Sequence, residues 1–224
     1  MLATFGIGAA GIAAAPSLQR GWDSALGAAS QYDPTKLTEL LPSPGGFRYY
    51  SVADSVPHKD ATNYRLTVDG LVDRPRIYAL DELLALPHTR VVHDVQCTDG
   101  WGVPDTPWEG PQLSTILDAA GVRAEGKAIR FTCFDGVYSE SLTLEQARRP
   151  DVLVALKMQD MPVTYEHGGP VRLYVAPMYF YKSAKWLSKI TVTDRVIPGY
   201  WEVNGYDVDG WLPGADKRSG ASTV

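Results

Sequence analysis

Cysteine is nearly absent from this sequence, and that absence narrows its chemistry. Two cysteines, Cys97 and Cys133, stand in 224 residues; they cannot build a disulfide framework, although one bridge is open to them. Neither belongs to a CxxC pair, and no HExxH surrounds any of the four histidines, so a zinc site has little to stand on. A basic excess is also missing. The net charge of −5 speaks against a nucleic-acid partner, which would need a basic stripe to neutralise phosphates. No Gly-rich phosphate loop and no repeating strand–helix–strand rhythm appear, which argues against a dinucleotide-binding fold. Charge is missing altogether from Leu2 to Gln19.

What is present is the composition of a folded chain. The sequence is 45% hydrophobic and 21% charged, values ordinary for a globular protein. Its length suits one catalytic domain with an N-terminal extension rather than two sizeable cores. Sixteen prolines and twenty-one glycines point to a loop-rich chain, more β than helical. Residues 1–19 read as a signal-like or membrane segment: Ala13-Ala14-Ala15 supply small residues near a cleavage point, while the run falls slightly short of the roughly 20 apolar residues of a span. Gly6, Gly8 and Gly11 are costly in a soluble helix, and only Met1 precedes the run where a basic segment is usual. The segment favours an extracytoplasmic location, in the periplasm or on the outer face of a membrane, with a membrane anchor as one form of it. Residues 20–46, with Asp33-Pro34 and Leu41-Pro42-Ser43-Pro44-Gly45-Gly46, read as a linker, and 47–224 as the folded domain.

Within that domain Tyr64–Val68 alternates as a half-buried strand turned by Asp69-Gly70. Leu80, Leu83 and Leu84 have helical spacing, stopped by Pro87. Arg90–Val95 is a predicted strand leading to Cys97, and Leu113, Ile116 and Leu117 mark a helix closed by Gly121. Ala128–Cys133 is a strand, and Thr143 with Gln146 forms a capping box on a short helix ended by Pro150. Val171–Val175 and Trp186–Val192 are two later strands. The expected class is α+β, mostly β with short helices.

Three clusters can carry chemistry. Cys97 follows a strand in Val95-Gln96-Cys97-Thr98-Asp99-Gly100-Trp101, where a rigid scaffold can present a reactive group; taken alone, it is more often an inert buried thiol. His93 lies four positions upstream, roughly 13 Å away by strand rise, too far to serve as its base. In His167-Gly168-Gly169-Pro170-Val171-Arg172 the glycines would let a ligand approach the backbone, and Arg172 offers a planar donor fork. Lys182-Ser183-Ala184-Lys185-Trp186 could hold a pyrophosphate or form a solvated face.

Together, QCTDGW, the Trp108-Glu109-Gly110 triplet, FDGVYSESL, HGGPVRLYVAP and YKSAKW, in that order over about residues 47–205, resemble the sulfite oxidase family of molybdenum enzymes. The similarity is strongest to its bacterial protein-methionine-sulfoxide reductase branch. The resemblance implies a sulfite-oxidase-type molybdopterin-binding fold and a molybdenum–molybdopterin cofactor whose metal takes the thiolate of Cys97, a soft ligand suited to a sulfur-held metal. It implies cofactor contacts from His167, Arg172, Ser183, Ala184 and Lys185, from Cys133 where the branch carries a Thr, and, through a loose alignment, from Arg48, Tyr50 and Ser51. His167 stands where the reductase branch carries Asn. The family's sulfite oxidases place arginines after the metal cysteine; Thr98, Asp99, Gly100 and Trp101 stand there instead, and a carboxylate near the metal repels a dianion.

The function these features imply is oxygen-atom transfer, with a small-molecule or protein methionine sulfoxide as substrate. No heme is expected in this chain, and a membrane redox protein would exchange the electrons. Alternatives are a non-catalytic binding module on the same scaffold, a sulfite-type oxidase and, less favoured, a cysteine hydrolase.

Overall fold

The computed structural model describes residues 47, 48 and 50–215. The apolar segment 1–19 and the linker 20–46 lie outside the described residues. No helix among the described residues is long and apolar enough to cross a membrane.

The strand expected around Leu66 runs over Arg65–Gly70 (β1), with Leu66 and Val68 buried on one face. Gly70 turns the chain at φ 85°, where a Cβ would lie 2.2 Å from the Val192 carbonyl oxygen; only glycine fits. β2 (Arg76–Ala79) returns antiparallel to β1 and leads into α1 (Leu80–Leu84). In α2 (Leu113–Ala120) the buried residues Leu113, Ile116, Leu117 and Ala120 fall on one stripe. Each leucine or isoleucine there contributes about 1.5–3 kcal/mol by burial, and Gly121 closes the helix at φ 71°. β5 (Ala128–Cys133), β6 (Ser139–Thr143) and β11 (Leu187–Thr193) complete a five-stranded sheet in the order β2-β1-β11-β5-β6. Its β1–β11 pair is parallel and its other pairs are antiparallel.

A second sheet has the order β3-β4-β8-β9, formed by Thr89–Gln96, Gly102–Gly110, Lys157–Met158 and Met161–Pro162. β4 is absent from the sequence expectations because Pro104 and Pro107 lack the N–H that a ladder uses. The register against β3 slips between His93 and Val95, and the Asp94 carboxylate accepts the Asp105 N–H at 2.9 Å beside that irregularity.

Between the two sheets' cores lies a ribbon of β7 (Val152–Ala155) and β10 (Arg172–Val175), antiparallel and buried at every position. Val152, Val154, Leu173 and Val175 pack into the core of the five-stranded sheet, whereas Leu153, Ala155 and Tyr174 face a second core with Phe47, Val95 and Trp108. Strands covered on both faces show a continuous apolar run, not alternation. Short helices set among more numerous strands are the α+β architecture that the sequence predicts.

The capping box at α3 (Leu144–Ala147) is closed in both directions. Thr143 Oγ1 accepts the Gln146 N–H at 3.1 Å, and Gln146 Oε1 accepts the Thr143 N–H at 2.8 Å. Thr143→Ala is therefore predicted to lower unfolding free energy by about 1 kcal/mol, read as a lower urea midpoint at unchanged slope, with Thr143→Ser restoring most of it.

Candidate active site

Cys97 opens the tight turn joining β3 to β4. Its N–H donates to the Trp101 carbonyl at 2.9 Å and its carbonyl accepts the Gly100 N–H at 3.2 Å, with Gly100 at φ 82°. The thiol is partly exposed, and its Sγ lies 3.7 Å from Asp99 Oδ2. Burial, reinforced by the Asp99 carboxylate, pushes the thiol up from its ordinary range, against the opposing Asp99 N–H. A nucleophilic cysteine needs the reverse shift, so the hydrolase reading loses support. His93 is not among the residues lining the cavity beside Cys97. Burial lowers its imidazole, and the largest opposing influence is Asp151.

The second wall is the loop entering β10. Here the glycines do something other than admit a ligand. A Cβ on Gly168 would sit 2.6 Å from the Lys185 Cβ, and one on Gly169 would sit 2.1 Å from the Val163 carbonyl oxygen. They let two protein segments approach each other. Arg172 also departs from the sequence expectation of a fork offered to a ligand. Its Nη1 donates to the His167 carbonyl at 2.6 Å and its Nη2 to the Ser183 carbonyl at 2.5 Å, tying the two predicted cofactor loops together. The guanidinium lies over the rings of Phe180 and Trp108, at 4.4 and 5.2 Å from their centroids. Burial pushes it down to about 9.

The third wall follows a single 3-10 turn, Phe180–Lys182. Ser183 Oγ accepts the Val175 N–H at 2.9 Å. Lys185 Nζ donates to the Glu166 carbonyl at 3.0 Å and to the Tyr50 carbonyl, drawing the N-terminal strip onto this wall. Ser51, itself buried, accepts the Ala53 N–H at 3.0 Å. Lys182 points elsewhere, to Glu140 and Glu202, so it leaves the basic cluster read from the sequence.

One cavity of about 230 Å³ gathers Arg48, Tyr50, Ser51, Cys97, His167, Arg172, Ser183, Ala184 and Lys185. Cys133 is the predicted site residue it does not include. That side chain is buried in the core of the five-stranded sheet, because Ile129, Phe131 and Cys133 share one face of β5. Sequence reasoning missed Asp135, two residues later, which lines the cavity. Its Oδ1 accepts the N–H groups of Val137 and Tyr138 at 3.1 and 3.0 Å, while Oδ2 is buried with no partner. The Asp135-Gly136 pair after β5 was the available signal. Also missed was an aromatic lining of Trp101, Tyr138, Phe180, Tyr181, Trp201 and Tyr206.

Comparison with known proteins bears on this arrangement. A family model described as oxidoreductase molybdopterin binding domain matches residues 53–201. The uncharacterized oxidoreductase YuiH of Bacillus subtilis is 35% identical over 153 residues, covering 68% of this chain and 77% of that protein. The protein-methionine-sulfoxide reductase catalytic subunit MsrP of Ralstonia nicotianae is 27% identical over 234 residues, covering 91% of this chain and 70% of that protein. Among solved structures, the sulfane dehydrogenase SoxCD of Paracoccus pantotrophus superposes with a TM-score of 0.61 at 24% identity, over 64% of this chain and 41% of the other. That likeness places the fold with the sulfite-oxidase type.

Arg172→Lys is predicted to destabilise the protein by roughly 1–3 kcal/mol, since a single nitrogen lacks the two separated donors of the planar fork that reach the His167 and Ser183 carbonyls. Denaturant unfolding of cofactor-free protein measures this without interference from bound ligand.

Proposed function

The chain belongs to the molybdopterin-binding oxidoreductase family, and from that premise we propose that it holds a molybdenum–molybdopterin cofactor through Cys97 and reduces a sulfoxide. Methionine sulfoxide, free or in a protein, is the substrate class proposed. The observation that carries the reading is the Cys97 thiol standing on the wall of the same cavity as Arg48, His167, Ser183 and Lys185.

The residues present fit such a cofactor. Among the described residues no group of three or more His, Cys, Asp or Glu side chains could hold a metal by itself; Cys97 would be the protein's ligand to a metal carried by the cofactor. The buried, unpartnered Oδ2 of Asp135 is an acceptor waiting for an N–H, a group that a pterin ring carries. Cationic side chains from Arg48 and Lys185 suit a phosphate.

When bound, the cofactor supplies two-electron oxygen-atom transfer; the chain's part is to bind, orient and exclude water. Sulfoxide reduction consumes two electrons and two protons and releases the sulfide and water. Trp101 and Phe180, packed edge to face at 6.2 Å, keep water from the wall beside Cys97. Asp99 opposes anionic substrates: two like charges at about 4 Å repel by roughly 4 kcal/mol in a protein-surface dielectric. A neutral sulfoxide meets no such barrier. The similarity to a reductase catalytic subunit, together with the uncharged run at Leu2–Gln19, supports an extracytoplasmic enzyme that takes electrons from a membrane redox protein.

Metal and pterin analysis of the full chain from a cofactor-competent host tests the reading, and wild-type protein without molybdenum would sink it. Cys97→Ser is expected to lose activity by at least about a hundredfold, since a hydroxyl is a poor stand-in for a soft thiolate. Methionine sulfoxide reduction set beside sulfite oxidation then tests the substrate assignment, with turnover of the sulfoxide and little of the anion expected.

A further inference from the structure

The family match ends at residue 201, yet the cavity wall continues past it. Trp201 and Tyr206 both line the cavity, with ring centroids 4.9 Å apart. Tyr50 closes on Trp201 at 5.9 Å, and Tyr181 meets Tyr206 edge to face at 5.2 Å. These rings form an aromatic mouth. The segment that carries two of them is α4 (Tyr200–Val203) and the loop after it. One helical turn has no stability of its own, so something else must seat it.

That role falls to Lys182, which is completely buried. Its three N–H donors are shared among Glu140 Oε1 at 2.6 Å, the Ser141 carbonyl at 2.9 Å, the Val208 carbonyl at 2.8 Å and Glu202 on α4. The other oxygen of Glu202 accepts the Gly199 N–H at the start of α4. One ammonium therefore grips both ends of the mouth segment from β6. Burial, with Glu202 alongside, pushes the Glu140 carboxyl well above the usual range despite Lys182. Neighbouring Tyr181 and Ser183 line the cavity, so the 3-10 turn faces two ways: its neighbours toward the site, Lys182 toward the strap.

We infer that Lys182, through Glu202 and the Val208 carbonyl, is a positioning residue that sets the aromatic mouth of the cavity and so governs substrate affinity, not cofactor retention. This rests on the reading of the cavity as the substrate site. Without the ammonium, the Glu140 and Glu202 carboxyl groups are left buried together with no cation between them, and the strap is released, carrying Trp201 and Tyr206 with it.

Lys182→Met and Glu202→Gln in the full-length, cofactor-loaded enzyme test this. In the wild type the N–H groups of Val203, Asn204, Gly205 and Tyr206 are bonded to carbonyls of Gly199, Trp201 and Glu202. Hydrogen exchange at these amides is expected to rise by about tenfold or more in Lys182→Met, as local opening becomes easier. KM for methionine sulfoxide should rise about tenfold with kcat within about threefold, the mark of lost ground-state binding, at unchanged molybdenum and pterin content. Unchanged exchange with unchanged KM would overturn the inference, and so would loss of the cofactor with a fall in kcat. If Lys182→Met does not fold, the near-isosteric Glu202→Gln carries the same exchange and KM measurements. If the wild type fails to reduce the sulfoxide, the functional reading fails, while exchange at the strap still decides the role of Lys182.

Discussion

The site depends on one buried guanidinium. Arg172 sits on the first position of β10, a strand with a hydrophobic core on either side, and it is almost wholly buried. Taking that charge out of solvent is expensive unless its donors are used. They are used on the carbonyls of His167 and Ser183, one from each loop that walls the cavity. The cost of burying the charge is thereby converted into a further tie between two loops that backbone bonds also join, at Gly168–Trp186 and at Leu173–Ala184. Phe180 and Trp108, stacked against the guanidinium, keep competing water away from those bonds.

The same logic recurs at Lys182, ten residues along. A second buried cation is spent on protein acceptors and fixes a second spacing, that between the 3-10 turn and α4. Lys185, closer to the surface, draws the strip around Tyr50 onto the wall. Three basic residues that look alike in sequence thus have three different jobs. The difference comes from direction: successive side chains of a turn point to different sides of the chain, and composition carries no trace of it.

Local signals were the ones legible in the sequence. The strand 128–133, the α2 stripe with its Gly121 cap, and the Thr143–Gln146 box are each decided within a few residues, and each stands in the structure. β4 was hidden by Pro104 and Pro107; Pro104 falls where the ladder against β3 slips, while Pro107 stands in register opposite Val92. β7 was hidden by its position between two cores, which removes the alternation that marks a strand. Nine cavity residues could be gathered by resemblance, but what each does there could not. Cys133 is instructive: Ile129 and Phe131 lie on its face of β5, so strand periodicity already turned it toward the core and left the next turn, with Asp135, to reach the cavity.

The glycines of the His167 loop show why an identical motif can carry a different physical reason. A flexible, ligand-accommodating pair and a pair demanded by chain crossing read the same in sequence. At Gly168 the crowding partner is Lys185, and at Gly169 it is the Val163 carbonyl, so a side chain at either position would push apart segments that the cavity needs together. Close approach there also brings the Trp186 N–H to the Gly168 carbonyl at 3.0 Å, which pins the start of β11 beneath the site. Close packing of the frame and placement of the basic groups are therefore one constraint. Asp99 and Asp135 also line the cavity, so that a pocket framed by buried cations presents carboxylates too, Asp99 beside its only thiol among the lining residues. A pocket of that polarity favours an anion against its basic residues and disfavours one beside its carboxylates.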